Sequence, residues 1–189
     1  MVRSLIPIFV SFLLVAAARA DLQLIPKPVE YELEGAKFKQ LAFSDGGAKE
    51  ITYSPPRGWD YFGSTTRLDL HPPNKAQAEA TITRIPLSEP GQFDDDTLKK
   101  LVAEAVALVP EGSSNVTVES QEKSPLRINR KETFLVVLSY NLSGQAYSRS
   151  ILFLNRGKEQ IRCELVCRAA DFKDLQKAFL GSQYSWRNL

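Results

Sequence analysis

The 189 residues carry 24 Lys+Arg against 22 Asp+Glu, with one His and two Cys, a length that makes one ordinary domain able to bury its own core without metal or disulfides. Taking away residues 1–20, with Arg3 and Arg19, leaves 169 residues and 22 basic against 22 acidic groups. A protein that neutralises phosphates keeps a basic excess, so nucleic acid is excluded as the expected partner.

The chain opens with a short positive start, Met1-Val2-Arg3, an apolar run over 5–18 and the small-x-small Ala18-Arg19-Ala20 before Asp21. This is the pattern of a secretion signal peptide, too short for a comfortable membrane span. It places the product outside the cytoplasm, periplasmic or extracellular, soluble after cleavage at Ala20/Asp21. No transmembrane segment is expected in the remainder.

Residues 21–48 are expected to form an extended N-terminal arm with short strands. Residues 22–28 are apolar but broken by Pro26 and Pro28; 29–33 and 37–43 alternate around Glu34-Gly35; Ser44-Asp45-Gly46-Gly47 is a strong turn. The domain proper is then expected over 49–189. A strand at 51–53 closes on the corner Ser54-Pro55-Pro56-Arg57-Gly58-Trp59, which delivers Trp59 as a core plug. Strands over 66–70 and 78–85 flank a loop, His71-Pro72-Pro73-Asn74.

The period then changes. Leu98, Leu101, Val102, Ala105, Leu108 and Val109 recur at three and four residue steps, an amphipathic helix with Asp96 as its expected cap behind Asp94-Asp95. Three consecutive carboxylates invite a metal reading, but no ligand cluster follows, and the helix dipole explains them. From 116 onward strands return at 116–121, 134–141, 147–154 and 160–168, joined by Asn- and Gly-containing turns as an antiparallel meander. The 134–141 strand is apolar on both sides and is expected to be central. Asp171 is expected to cap a last helix with Phe172, Leu175, Phe179 and Leu180 on its apolar side, before Tyr184 and Trp186. Strands, helix, strands, helix without alternating βαβ units is an α+β order.

Cys163 and Cys167 alternate with Arg162, Glu164, Val166 and Arg168. Four residues of strand span about 13 Å, well beyond the Cα separation of a disulfide, so the two are expected not to pair and to act as small buried hydrophobes.

Over about 51–186 the arrangement resembles the PsbP-like domains, named after the extrinsic subunit P of photosystem II. Three stretches carry the likeness: 53–59, a strand closing on a Pro-x-x-Trp corner; 80–109, a strand, an acidic cap and a helix; and 147–179, where the strand ending at Cys163 to Arg168 runs into Asp171, Phe172 and Lys173. The resemblance implies an α/β/α sandwich on a central antiparallel sheet and a noncatalytic role, docking on partner proteins or membrane complexes. The chain departs from the family in lacking a bipartite thylakoid leader, and 21–48 has no counterpart there.

Chemistry-bearing motifs are sparse. His71, the single histidine, sits in the Pro-rich stretch away from any Gly-x-Ser-x-Gly or His-Glu-x-x-His pattern and reads as a solvated loop residue. No phosphate loop and no Cys-x-x-Cys occurs, so no catalytic residue, cofactor or metal site is assigned. Asn115-Val116-Thr117 and Asn141-Leu142-Ser143 match the glycosylation acceptor pattern. Aromatic and basic residues near strand ends, Arg57, Trp59, Tyr61, Arg67, Tyr147, Arg149, Tyr184 and Trp186, are the surface candidates. Among them Trp59 and Trp186 are read as structural, like Cys163 and Cys167, and Arg57 and Tyr61 beside the rigid corner as the contact site. The leading expectation is an exported interaction or assembly module at an envelope or membrane-associated complex. The alternatives are a carrier of a small molecule or ion in a cleft between sheet and helix, and an exported hydrolase with an unrecognised carboxylate site.

Overall fold

The computed structural model describes residues 21–189; the expected secretion signal, 1–20, lies outside the described residues. Two antiparallel sheets and two helices form an α+β fold. The first sheet is made of β1 (Gln23–Leu33), β2 (Ala36–Ser44) and β3 (Ile51–Tyr53), in that order. β1 and β2 are joined through Glu34 and Gly35, both at positive φ (51° and 79°), the backbone that a two-residue type I′ hairpin requires. Pro26 and Pro28 are accommodated because β1 is an edge strand, and the register shifts between Gln23 and Lys27.

This corrects the expected arm. Residues 21–48 hold two long paired strands, and β2 pairs onward with β3 from Leu41↔Tyr53 to Phe43↔Ile51, across the expected boundary at 48/49. Leu22, Leu24, Leu41 and Phe43 belong to the same buried cluster as the rest of the domain. The physical reason is their apolar surface, which an arm would leave in water.

The second sheet contains β4 (Asp60–Gly63), β5 (Arg67–His71), β6 (Glu79–Pro86), β7 (Ser114–Lys123), β8 (Thr133–Leu142), β9 (Gln145–Arg156) and β10 (Glu159–Arg168). Its spatial order is β4-β5-β6-β10-β9-β8-β7. β10 is therefore the middle strand. β8, expected to be central, is second from the edge; it is apolar on both sides because both its faces are covered, not because it lies in the middle. The outer strand β7 is exposed throughout and breaks register twice, which suits an unprotected edge.

Strand alternation sorts the core into two layers. Phe134, Val136, Leu138, Ile151 and Phe153 face α1 (Asp95–Ala107), with Leu101 and Ala105 packed on them. Their neighbours Leu135, Leu152 and Leu154 face the other way, into a larger core with Leu68, Leu70, Ile82, Cys163 and Leu165. That core is closed by α2 (Ala169–Gln183), through Phe179, and by the small sheet. Gly63 marks where β1 passes over β4, since a Cβ there would collide with the Leu24 carbonyl and the Pro26 ring.

The helix caps differ from expectation. Asp94, not Asp96, caps α1, accepting a hydrogen bond from the Thr97 amide at 2.8 Å, which holds its carboxyl below the usual range. α2 starts two residues before Asp171, after Arg168, and has no side-chain cap. Asp171 lies in its first turn, paired with Lys75 Nζ at 2.6 Å.

An ionic cluster fastens the small sheet to the large one. Glu159, buried at the start of β10, receives Arg84 Nη1 at 3.1 Å, Arg156 Nη1 at 2.6 Å and the Leu22 amide at 3.1 Å. Arg84 also pairs with Asp21 at 2.7 Å, and Arg156 with Asp45 in the turn after β2. Among the described residues no helix is long and apolar enough to cross a membrane.

Candidate functional site

β5, β6 and β10 alternate like their neighbours, but all their residues on the α1 side that line the cleft, save His71 and Val166, are charged or hydroxylic. Arg67 and Asp69 come from β5, Glu79 and Thr81 from β6, and Arg162, Glu164 and Val166 from β10. α1 packs on β7 and β8, so its C-terminal end stops beside this charged area and leaves it as a cleft of about 560 Å3. Leu108, Tyr147, Val166 and Ala78 supply apolar wall; Arg67, His71, Gln77, Glu79, Arg149, Arg162 and Glu164 supply the polar groups.

The charges in the cleft are held by one another. Arg67 reaches Asp69 at 2.5 Å and Glu79 at 2.7 Å, and the Asp69 hydrogen bond raises its pKa. Glu164 lies between Arg149, at 3.3 Å, and Arg162, at 3.8 Å. Arg162 also binds Glu104 of α1 at 3.0 Å, and Arg149 donates to the Leu108 carbonyl at the helix end. α1 has no basic residue in its last turn, so Arg149 from β9 supplies the cation that the negative end of the helix dipole favours. Its guanidinium also faces the Tyr140 ring, 6.0 Å from the centroid. At the mouth, Arg168 lies over the Tyr147 ring at 5.2 Å and donates to Gln77 and Gln145.

Two donors in this arrangement are unmatched: the Nε–H groups of Arg149 and Arg162 are buried without a hydrogen-bond acceptor. Buried polar groups are normally satisfied; Arg84 Nε in the ionic cluster between the sheets is unmatched too, but among the described residues only in the cleft do two such donors come from side chains lining one cavity.

The residues singled out from sequence divide between this cleft and the rest of the molecule. Arg67, Tyr147 and Arg149 line it. His71, expected in a solvated loop, is the last residue of β5 and lines it too. Arg57 is exposed in the turn of the proline corner, and Tyr61, 38% exposed on β4, stands opposite Leu70 on the other side of the sheet. The corner and the cleft are therefore separate features. Trp59 is buried and stacked on Phe179 with ring centroids 6.1 Å apart; Trp186 is buried between Phe43 and Tyr53 and donates to Gln183 at 3.0 Å. Cys163 and Cys167 are buried free thiols whose pKa values burial pushes up to about 12 and about 11. Asn115 is exposed at positive φ where β7 begins, and Asn141 is half-buried near the end of β8. Among the described residues no group of three or more His, Cys, Asp or Glu is placed to hold a metal ion.

Sequence reading missed Glu79, Thr81, Arg162 and Glu164. Their signal was present in the strand pattern: a strand whose alternate positions are charged leaves that face open or paired, and β10 read Arg162, Glu164, Val166, Arg168 on one side.

No family profile matches the chain, and no characterised protein matches it in sequence. Among solved structures, a Pseudomonas aeruginosa protein of unknown function is similar at 14% identity and a TM-score of 0.45, over 84% of this chain and 94% of that one. A Bacteroides thetaiotaomicron protein is similar at 11% identity and a TM-score of 0.46, over 72% of this chain and 44% of that one.

Proposed function

We propose that the protein is an exported, noncatalytic binding domain, an α/β/α sandwich of PsbP-like type, that holds a small solute in the cleft between β5, β6, β10 and the end of α1. The cleft itself carries this reading. Its volume of about 560 Å3 falls in the range of small-molecule sites, and it combines apolar wall with a few converging polar groups. Binding is favoured over turnover because the cleft's arginines and carboxylates are engaged with opposite charges.

The test is a thermal-shift panel of small solutes and metal ions on protein purified from an exporting host, with Thr81→Arg to fill the cleft floor. A solute at a hundred times its Kd should raise the Tm of the parent by roughly 5 to 10 °C and leave the variant unmoved. A panel in which every positive also stabilises Thr81→Arg would remove the cleft from the account.

A second reading, docking on an envelope or membrane-associated protein complex, is favoured by a different observation. Phe62 is 69% exposed on the edge strand β4, and a large apolar side chain left in water at a sheet edge is a feature of interaction surfaces. A crosslinked pull-down from the envelope fraction addresses it. A partner lost with Phe62→Ser but kept by an Arg57 and Tyr61 double substitution would place docking on the strand edge; the reverse would place it on the corner.

A further inference from the structure

We infer that the cleft recognises an oxyanion, a carboxylate or phosphate group, through Arg149 and Arg162, with Glu164 acting as an internal stand-in that the ligand replaces. The inference rests on the cleft being a binding site and names the chemistry it selects.

Glu164 is a single carboxylate set between two guanidinium groups. Its Oε1 is 3.3 Å from Arg149 Nη1, whereas its Oε2 is 3.8 Å from Arg162 Nε, too far for a hydrogen bond. Arg162 Nε–H is thereby left unmatched, and Arg149 Nε–H is buried without an acceptor as well. The Arg149 side chain is only 8% exposed, so water does not easily serve it. A buried donor left unmade is costly, and here two such donors belong to side chains that line the cleft. A carboxylate or phosphate offers the additional acceptors in the fork geometry that a guanidinium prefers. Leu108, Val166 and Tyr147 on the same wall provide a place for an apolar group next to that anion, so an oxyanion with a short apolar or aromatic substituent fits better than a bare ion.

The experiment follows the Arg Nε–Hε resonances directly. Acetate, benzoate and inorganic phosphate are titrated into the 15N-labelled protein, into Glu164→Gln and into Arg162→Lys, with melting curves confirming that each variant is folded. In the parent, the Nε–H signals of Arg149 and Arg162 should move downfield together, with benzoate binding more tightly than acetate. Glu164→Gln removes the competing carboxylate and should tighten binding about tenfold, while Arg162→Lys keeps the charge but loses the fork and should weaken it about tenfold. Comparison of benzoate with phosphate identifies which oxyanion the site favours. Should Arg162→Lys fail to fold, Glu164→Gln alone decides, because a merely structural Glu164 would loosen the site when neutralised.

Probes that shift the Thr81 and Val166 amides while the Nε signals stay fixed, with equal affinity for Glu164→Gln, would overturn oxyanion recognition and leave the solute cleft standing. If no probe perturbs any cleft resonance, oxyanion recognition is overturned, and the solute panel decides separately whether the cleft binds anything.

Discussion

The face of the large sheet on the α1 side consists of two halves with the same pleat and different closure. Under α1, the alternate positions of β8 and β9 are Phe134, Val136, Ile151 and Phe153; beyond α1, the same-facing positions of β5, β6 and β10 are Arg67, Asp69, Thr81, Arg162 and Glu164. The first half is held by burial of apolar area, at roughly 25 cal/mol per Å2. The second cannot be buried that way, because a charge taken from water needs a partner, and each arginine there has a carboxylate. One half of the face is sufficient to seat a helix. The other is free to meet a ligand.

The sharpest way to break this comparison is to damage the sealed half. Phe153 is fully buried and stacks on Phe134 with centroids 6.4 Å apart, so Phe153→Ala should cost about 3–5 kcal/mol in urea denaturation. Trp186→Ala on the opposite face should fall in the same range, since it removes the ring stacked on Tyr53 and the donor to Gln183. A loss under about 1 kcal/mol at either position would mean that its layer is loosely packed.

Next in size is the fastening between the two sheets. Glu159→Ala takes one of two carboxylates from Arg84 and from Arg156 and leaves the Leu22 amide without its acceptor, a loss of about 1–3 kcal/mol for a buried donor left unmade. Hydrogen exchange gives the specific readout: the Leu22 amide should lose protection while β8 and β9 keep theirs. Uniform loss across the chain would show that the small sheet has no independent opening.

Much of the fold was legible because its signals are local. The α1 periodicity, the Glu34-Gly35 turn and the 145–168 hairpin are read from spacing and from where positive φ is tolerated. Two errors had a common cause in pairing between distant segments. Leu22 and Leu24 looked like an arm because Pro26 and Pro28 break the apolar run, and only the pairing of β1 with β2 and the cover given by β4 and β5 turn it into structure. β8 looked central because both sides are apolar, a property that covering elements confer as readily as position. The cleft was hidden for a related reason. Arg67, Glu79, Arg149, Arg162 and Glu164 come from four strands far apart in sequence, and no spacing reveals that β10 lies between β6 and β9. Arg57 and Tyr61 attracted notice through a rigid local corner, which is visible in sequence whether or not anything binds there.

The buried thiols give a smaller effect with a defined sign. Burial raises Cys163 from an ordinary value of 9.0 to about 12 and Cys167 to about 11, so the folded state holds these protons more tightly than the unfolded one. Their contribution is fully present below about pH 9 and is lost as pH rises toward 11 and 12. Denaturation midpoints of the parent should therefore fall more steeply above pH 9 than those of Cys163→Ala. Parallel curves would mean that the thiol is ionised or hydrated in the folded state.

The smallest effect is the most pointed test of the comparison. Glu79 is half exposed at the cleft and pairs with Arg67, and an exposed ion pair contributes about 0–1 kcal/mol. Glu79→Gln should therefore shift stability by no more than about 0.5 kcal/mol, against the several kcal/mol expected at Phe153 on the same sheet face. Measured under one set of conditions, the two variants compare an open half with a sealed half at constant topology. A Glu79→Gln loss as large as that of Phe153→Ala would make the charged half part of the folding core. Its arginines would then be fixed by the needs of the fold, with little freedom to exchange Glu164 for a ligand.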